Sequence, residues 1–309
     1  MLEKGRIAKP LRGGFGAILA IGARMNVRTV WRRSGIVIAF IAALSAVTAI
    51  FAQRPFRVYD SMEGYDNIPL PPDYQDRAEF VFARLMYPQH PEARFARWRG
   101  RSGDWREGGT SWSQDYPRAD RHFAMALRRL TRLNTRSVEQ PVNLDDGDDV
   151  FNWPWLCAGE MGDWKLTPEM AAKLRDYLLR GGFLMLDDFW GPDEWARFDE
   201  SMKMVFPDRE IVEIDDADPI FHAVYDLNDR YQILGQWALG GRQFNERVAG
   251  THAEWKGIYD DHKRLMVAMT FNSDVGDSWE WADDPRYPEP FSALGMRIGV
   301  NYVVYSLTH

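Results

Sequence analysis

The residues in this sequence that are best suited to chemistry are carboxylates that follow predicted β-strands. Asp187 and Asp188 come directly after Phe183–Leu186, an apolar run of the kind typical of a strand buried on both faces. Paired carboxylates can act as a general acid and a general base, or they can bind a divalent cation through their oxygens. They can also have a purely structural role, in which both accept hydrogen bonds from loop amides. No spacing in the sequence decides between these roles.

Polar residues at other strand ends extend this candidate site, because open α/β sheets bind ligands beyond the carboxyl ends of their strands. Tyr87 follows a β-rich run at 79–86, and Asn272 follows another at 265–271. Further strand-end residues are Asp145, Asp146, Glu160 and Asp274. The full set of candidate ligand-binding residues is Tyr87, Asp115, His122, Asp187, Asp188, His222, Asn272, Asp277, Trp279 and Trp281, and Asp187 and Asp188 are the candidate metal ligands.

Tryptophan is abundant, with 13 residues in the chain, and two of them lie in an acidic segment at 276–285. Trp279 and Trp281 stand there among four carboxylates. Indole rings can cover the apolar C–H faces of a sugar while carboxylates accept hydrogen bonds from its hydroxyls, which favours a glycan ligand. The alternative is that these rings pin long loops onto the domain. His122 and His222 similarly have two interpretations, as ligands or bases and as structural residues.

Familiar catalytic motifs are absent from the sequence. It contains no G-x-S-x-G elbow, H-E-x-x-H, Walker loop or paired C-x-x-C, so no cofactor is evident, and a divalent metal ion is kept only as a candidate. Cys157 is the only cysteine, which rules out an intrachain disulfide. No histidine lies at a recognisable spacing from it, and we therefore expect a small buried hydrophobe rather than a nucleophile.

The elements that must position these residues alternate between strand and helix. The clearest helix begins with Thr167 as N-cap and Pro168 at its first position, and it ends at Gly181-Gly182. Predicted strands lie at 79–86, 141–144, 150–157, 183–186, 210–214 and 265–271. Another helix is predicted with one apolar face, formed by Phe123, Leu127, Leu130 and Leu133, and further helices are predicted from 191 to 206 and at 294–307. This order predicts one α/β domain with a mainly parallel sheet and helices on both faces.

Charge divides the chain into a basic leader and an acidic remainder. Residues 1–33 hold eight basic residues and one acidic residue, a net charge of +7, whereas the whole chain carries −7 and the remainder therefore −14. This excess of acid argues against nucleic acid as a partner, although the arginine-rich loop at 94–106 could contact a phosphate. An uncharged apolar run at 35–52 follows the leader, which is the pattern of a secretory signal or of a membrane anchor with its N-terminus inside.

We therefore expect export, to the periplasm or another extracytoplasmic location. Residues 1–52 would engage the membrane or the export machinery, 53–76 would form a Pro/Tyr-rich linker or wrapping arm, and 77–309 would form the α/β domain. Met25 is an alternative start to Met1.

Eight runs of the sequence together resemble one bacterial family. They are EFVFARLMYP (79–88), DYPRADRHF (115–123), YLLRGGFLMLDDFWGPDEW (177–195), VFPDREIVE (205–213), DPIFHAVYDL (218–227), WKGIYDD (255–261), FNSDVGDSWEWADDP (271–285) and GVNYVVYSLTH (299–309). The family that they resemble is domain of unknown function 4159, which looks like a member of the class I glutamine amidotransferase-like superfamily. The resemblance implies a flavodoxin-like sheet, in which the strand before Tyr87 and the strand before Asp187 would be neighbours, but it implies no activity.

Amidotransferases proper place a cysteine nucleophile on a strand-to-helix elbow, and the elbow candidate at 187–191 contains none. The resemblance thus implies a fold that keeps its crevice without that nucleophile. Two functions follow as hypotheses. The first is an envelope module that binds a glycan or an envelope protein. The second is a carboxylate- or metal-dependent hydrolase outside the cytoplasm, with His222 as a candidate participant and Asp187 or Asp188 as the candidate metal ligand.

The leader and the apolar run predict the topology of the chain. We expect a reporter that is active only outside the cytoplasm to be active when it is fused after His309. If the segment is cleaved, the exported protein should begin near Ile50 or Gln53. A matched fusion without residues 35–52 should lose this activity. A full-length fusion that is active only as a cytoplasmic reporter would contradict the prediction.

Overall fold

The computed structural model describes residues 56–65, 67–94, 103–239, 248 and 251–309. The apolar run at 35–52 lies outside the described residues, and so do residues 95–102 of the arginine-rich loop. Within the described ranges, no helix combines the length and the apolar character needed to cross a bilayer.

The described part of the chain forms a seven-stranded sheet in the order β2-β1-β3-β4-β7-β6-β5. Strands β1 to β4 and β7 are parallel, whereas β6 is antiparallel to β7 and β5 is antiparallel to β6. The mainly parallel sheet predicted from the sequence is therefore confirmed. The strands are β1 Ala83–Met86, β2 Gln140–Asn143, β3 Trp155–Ala158, β4 Phe183–Leu186, β5 Val212–Glu213, β6 Glu254–Tyr259 and β7 Leu265–Phe271.

Helices cover both faces of this sheet, as predicted. Helices α1, α4 and α5 contribute side chains to the apolar core on one face, and α2 and α3 contribute to the core on the other. Their bounds are α1 Arg118–Leu130, α2 Pro168–Leu179, α3 Gly191–Val205, α4 Val275–Glu280 and α5 Glu289–Thr308. The Thr167 side chain accepts a hydrogen bond from the Met170 amide at 3.2 Å, and Gly181 has a φ of +111°, so the signals at both ends of α2 correspond to its observed limits.

Strand β4 lies at the centre of the sheet, between β3 and β7. Its alternate residues belong to different cores: Leu184 and Leu186 to one, Phe183 and Met185 to the other. All four are fully buried. The sequence-based prediction of a strand covered on both faces is thereby confirmed.

Several predicted elements are shorter in the structure or have a different type. Pro154 separates a 3₁₀ turn at Asp149–Asn152 from β3, so only the second half of the run at 150–157 is a strand. β1 begins at Ala83 rather than at 79, and β5 keeps only two residues of the run at 210–214. On α1, Leu130 is exposed, which corrects its assignment to the buried face. The acidic segment at 276–285 starts as helix α4 rather than as a loop.

The strand neighbours also differ from the expectation. The site prediction assumed that the strand before Tyr87 pairs with the strand before Asp187, but β3 lies between β1 and β4. The strand order reverses at β1, which has β2 on one side and β3 on the other. The helix after β1 and the helix after β3 lie on opposite faces, and this arrangement opens a crevice at the carboxyl ends of the two strands.

The Pro/Tyr-rich segment runs along the domain as an arm. The Asp60 amide donates to the Glu107 carbonyl at 3.2 Å, and the Met62 amide donates to the Ser113 carbonyl at 3.1 Å. This contact brings Glu63 to the crevice.

The burial of β4 predicts the effect of a charge on it. Leu184→Asp would place a carboxylate without a partner in the core, at a cost of several kcal/mol, and should abolish soluble folded protein. The matched control is Val212→Asp on edge strand β5, where the side chain is exposed and a change within about 0.5 kcal/mol is expected. Solubility and thermal unfolding measure both variants. A folded Leu184→Asp protein of wild-type stability would contradict the central placement of β4.

Candidate functional site

A cavity of about 380 Å³ lies beyond the carboxyl ends of β1, β3, β4 and β7. Its lining is unusually rich in carboxylates, with two indole rings and two amide side chains beside them. The lining residues are Glu63, Arg94, Gln114, Asp115, Glu160, Asp188, Gln236, Trp237, Asp274, Asp277 and Trp281.

Three of these carboxylate residues adopt a left-handed backbone. The φ values are +60° at Asp115, +52° at Glu160 and +51° at Asp188. Residues other than glycine rarely adopt this conformation, and such strain clusters at functional sites, where the surrounding structure holds it in place. The coincidence of three strained acidic residues around one cavity therefore supports a functional role for the crevice.

A buried arginine positions Asp115. Arg84, on β1, donates from Nε to the Asp120 carboxylate of α1 at 2.8 and 3.1 Å, and from Nη1 to the carbonyls of Trp112 and Gln114 at 3.3 and 3.2 Å. These bonds fix the segment before α1 against the sheet. The Asp115 carbonyl then accepts the Ala119 amide at 2.9 Å in the first turn of the helix, which leaves the Asp115 side chain at the cavity.

The start of α4 supplies the next acidic groups. Asp274 caps this helix, because its Oδ1 accepts the Asp277 amide at 2.8 Å, and its Oδ2 accepts Nε1 of Trp237 at 3.3 Å. Oδ2 of Asp277 accepts the Gln236 amide at 2.6 Å. Asp274 and Asp277 are both buried, and each thus has a backbone donor.

Among the described residues, two groups of three carboxylates could hold a metal ion. In each group, one carboxylate oxygen from every member lies within 4.8 Å of the others. The groups are Asp115–Asp274–Asp277 and Glu63–Asp115–Glu280, so Asp115 belongs to both. Burial, followed by the charges of neighbouring carboxylates, raises the pKa values of Asp115, Asp274 and Asp277 well above the ordinary value.

Asp187 and Asp188 have different environments. Asp187 accepts the Thr270 hydroxyl and, at 2.7 Å, the Gly276 amide, and burial raises its pKa to about 7. It therefore supports the start of α4. Asp188 accepts Nε1 of Trp190 at 2.6 Å and lines the cavity. Neither belongs to the two carboxylate groups, so the role of Asp187 and Asp188 as metal ligands stays a prediction.

Two residues predicted for the site, Tyr87 and Asn272, do not line the cavity, and each forms a hydrogen bond between two parts of the fold. The Tyr87 hydroxyl is buried and donates to the Gly159 carbonyl at 2.7 Å. The Asn272 side chain accepts the Gly191 amide at 2.8 Å, and so links the end of β7 to the start of α3.

Trp279 is not a wall of the site. It is 1% exposed, and its ring stacks on Phe123 with centroids 4.4 Å apart, because helix α4 turns this face into the core. The prediction for Trp279 is therefore wrong, whereas Trp281, two residues later, lines the cavity.

The two candidate histidines lie elsewhere. His122 lines a separate cavity of about 290 Å³ beside α1, and its Nδ1 is 3.0 Å from the Trp279 carbonyl oxygen. His222 is exposed, with Nδ1 2.9 Å from the Asp226 carboxylate, and this hydrogen bond raises the pKa of the imidazole. The structure thus brings together Asp115, Asp188, Asp277 and Trp281 but not the histidines.

Cys157 lies within β3, where burial raises the pKa of its thiol well above the ordinary value. A nucleophilic cysteine needs a thiolate, so this environment is unsuited to nucleophilic catalysis.

Five residues at the site were not singled out from the sequence: Glu63, Gln114, Gln236, Trp237 and Glu280. Glu63 stands in a segment without periodicity, and only its fold along the domain brings it to the crevice. Glu280 could have been found by its spacing, because Asp277 and Glu280 are three residues apart and share one helical face once α4 is recognised.

A family model described as "Domain of unknown function (DUF4159)" matches residues 99–307, more than half of the chain. No curated protein matches the sequence.

The buried acids predict how stability depends on pH. Burial raises the pKa of Glu280 to about 9, with Asp115 and Glu63 adding to the effect, and that of Asp187 to about 7. The folded state keeps these protons up to the raised pKa values, whereas the unfolded state releases them near pH 4 to 5. The free energy of unfolding should therefore fall as pH rises from about 5 through 7 and 9, by on the order of a few kcal/mol.

Thermal unfolding in buffer with a chelator, between pH 5 and 9, measures this effect. Glu280→Gln cannot ionise, so its stability should fall less steeply between pH 7 and 9. A wild-type melting temperature that rises over this range would contradict the assignment.

Proposed function

The chain belongs to the DUF4159 family, whose description assigns no activity. We therefore propose its function from the cavity: the chain is an exported cell-envelope module, a non-catalytic amidotransferase-like domain that binds a glycan.

The observation that carries this proposal is the pairing of indole rings with hydrogen-bonding side chains in one cavity. Trp237 and Trp281 line it together with Gln114, Asp188 and Gln236. A sugar offers apolar C–H faces to the rings and hydroxyls to the carboxylates and amides. The volume of about 380 Å³ lies within the range of small-molecule sites.

The walls of the cavity are held in place by cation–π contacts. The guanidinium of Arg118 lies 4.6 Å from the Trp281 ring centroid, and that of Arg94 lies 5.4 Å from the Trp237 centroid. Rings that are already oriented lose less conformational entropy on binding, which favours them as a platform for a ligand.

The strand order supports a flavodoxin-like, amidotransferase-like fold. The five parallel strands follow the order β2-β1-β3-β4-β7, which corresponds to the 2-1-3-4-5 order of a flavodoxin-like sheet, with β7 as its fifth strand. Two antiparallel strands extend one edge. Glu160 and Asp188 occupy strained turns between a strand and a helix, where such enzymes place a nucleophile, and neither is a cysteine. Cys157 lies inside a strand, which supports a non-catalytic role.

Export is proposed from the sequence, on the basis of the basic leader and the apolar run at 35–52. We keep the division into a leader at 1–52, an arm at 53–76 and a domain at 77–309. In this location, an envelope protein is the alternative to a glycan as the binding partner.

A second candidate function is a carboxylate- or metal-dependent hydrolase outside the cytoplasm. The convergence of Asp115, Asp274 and Asp277, with raised pKa values, favours it, because carboxyl groups that hold protons near neutral pH can act as general acids.

Titration of the full-length chain with soluble oligosaccharides of envelope glycans tests the proposal, by calorimetry and by tryptophan fluorescence. Trp281→Ala should weaken binding by roughly fivefold or more, since losing the contact between the ring and the sugar costs on the order of 1 kcal/mol or more. Asp188→Asn should also weaken binding with little change in melting temperature.

Matched controls are Trp195→Ala, on α3 outside the cavity lining, and Cys157→Ala, and both should bind as the wild type does. Wild-type affinity in Trp281→Ala would count against the glycan site. Cleavage of the oligosaccharide by the wild type, lost in Asp277→Asn, would favour the hydrolase instead.

A further inference from the structure

Glu280 is a buried carboxylate to which no residue of the described ranges donates a hydrogen bond. Its side chain is fully buried at the C-terminal end of α4, and within these ranges neither Oε1 nor Oε2 has a partner of hydrogen-bond geometry. The Tyr65 hydroxyl and the carboxyl groups of Asp277 and Glu63 lie beside Glu280 and influence the same titration, but none of them meets both the distance and the angle of a hydrogen bond to either oxygen. A buried polar group without a partner is costly, so this position points to a group that binds there.

The neighbours of Glu280 are themselves acidic. One oxygen of Glu280, one of Glu63 and one of Asp115 lie within 4.8 Å of each other. Glu63 accepts Nε2 of Gln114 at 2.8 Å and the Asp115 amide at 3.0 Å, which orients its carboxylate and leaves a lone pair on each oxygen.

No positive side chain among the described residues forms an ion pair with these three acids. The nearby Arg118 donates to Tyr65 at 3.3 Å and to Asp283 at 2.7 Å. Arg84 is held by Asp120. The arrangement therefore concentrates oxygen ligands without a matching cation from these parts of the chain.

We propose that Glu63, Asp115 and Glu280 bind a hard divalent cation, with Ca²⁺ as the favoured ion. Two oxygens bound to one Ca²⁺ at about 2.3–2.6 Å can lie no more than roughly 5 Å apart, and the observed 4.8 Å falls within this limit. An oxygen-only ligand set suits Ca²⁺, Mg²⁺ or Mn²⁺. The presence of three carboxylates favours Ca²⁺, because Mg²⁺ usually keeps several bound waters and is held by only one or two carboxylates.

Asp115 connects this site to the cavity. It also belongs to the group with Asp274 and Asp277, so a cation at Glu280 would reduce the repulsion among the acids that line the cavity. This site is independent of the glycan proposal, since it would exist whether or not a sugar binds.

Calorimetric titration of the chelator-treated full-length chain with Ca²⁺, Mg²⁺ and Mn²⁺ tests the proposal, together with the melting temperature with and without each ion. We expect one binding event and a higher melting temperature with the ion. Glu280→Gln and Asp115→Asn should each weaken binding by more than the roughly 10- to 100-fold that loss of an outer-shell partner costs. Without the ion, Glu280→Gln should melt at or above the wild-type temperature, because it removes a buried acid.

Asp149→Asn is the matched control, since Asp149 is a buried carboxylate in the turn before β3, at the opposite end of the sheet from the site. It should bind the ion as the wild type does. Binding of Mg²⁺ or Mn²⁺ in place of Ca²⁺ would support the same site. Either the absence of binding by all three ions, or wild-type affinity in a folded Glu280→Gln protein, would overturn the proposal, and neither outcome bears on whether oligosaccharides bind.

Discussion

The structure gathers several carboxyl groups at one end of the sheet and removes them from water. Burial of an ionised carboxylate is costly, and repulsion between neighbours adds to the cost. Backbone amides offset part of it: Gly276 donates to Asp187, Asp277 to Asp274 and Gln236 to Asp277. Protonation offsets another part of this cost. Burial and neighbouring carboxylates raise the pKa values of Asp277 and Glu280, so these acids stay protonated to higher pH. The turns and the cap of α4 are therefore as much a part of the site as the carboxylates.

Local rules in the sequence were sufficient for the central elements. The run at 183–186 has no polar residue, and only a strand between two cores accommodates it, as the division of its side chains between the two faces shows. Thr167, Pro168 and Gly181 define the limits of α2 by capping and backbone preference. In these segments, each residue favours the same structure, so no knowledge of distant contacts was needed.

The site could be predicted only in part, because tertiary contacts determine it. The pattern around Trp279 and Trp281 does not reveal that α4 directs the first ring into the core and the second to the cavity. Strand order is another long-range property, and the position of β3 between β1 and β4 is not encoded in either flanking strand. Glu63 reaches the crevice only because its arm pairs with residues some 50 positions later, through the bond from Met62 to Ser113.

The charge state of the buried acids links the two proposed roles of the crevice. Glu63, Asp115, Asp274 and Asp277 line the cavity and also belong to the carboxylate groups that could hold a cation. When these acids are protonated, a ligand meets hydrogen-bond donors; when they are ionised around a cation, it meets acceptors and the open coordination positions of the ion. Sugar hydroxyls are donors and acceptors at once, and so they suit both states. An anionic ligand, by contrast, would gain attraction only when the cation is bound. A neutral ligand with many hydroxyls can therefore bind whether the acids are protonated or ionised around a cation, which an anionic ligand cannot.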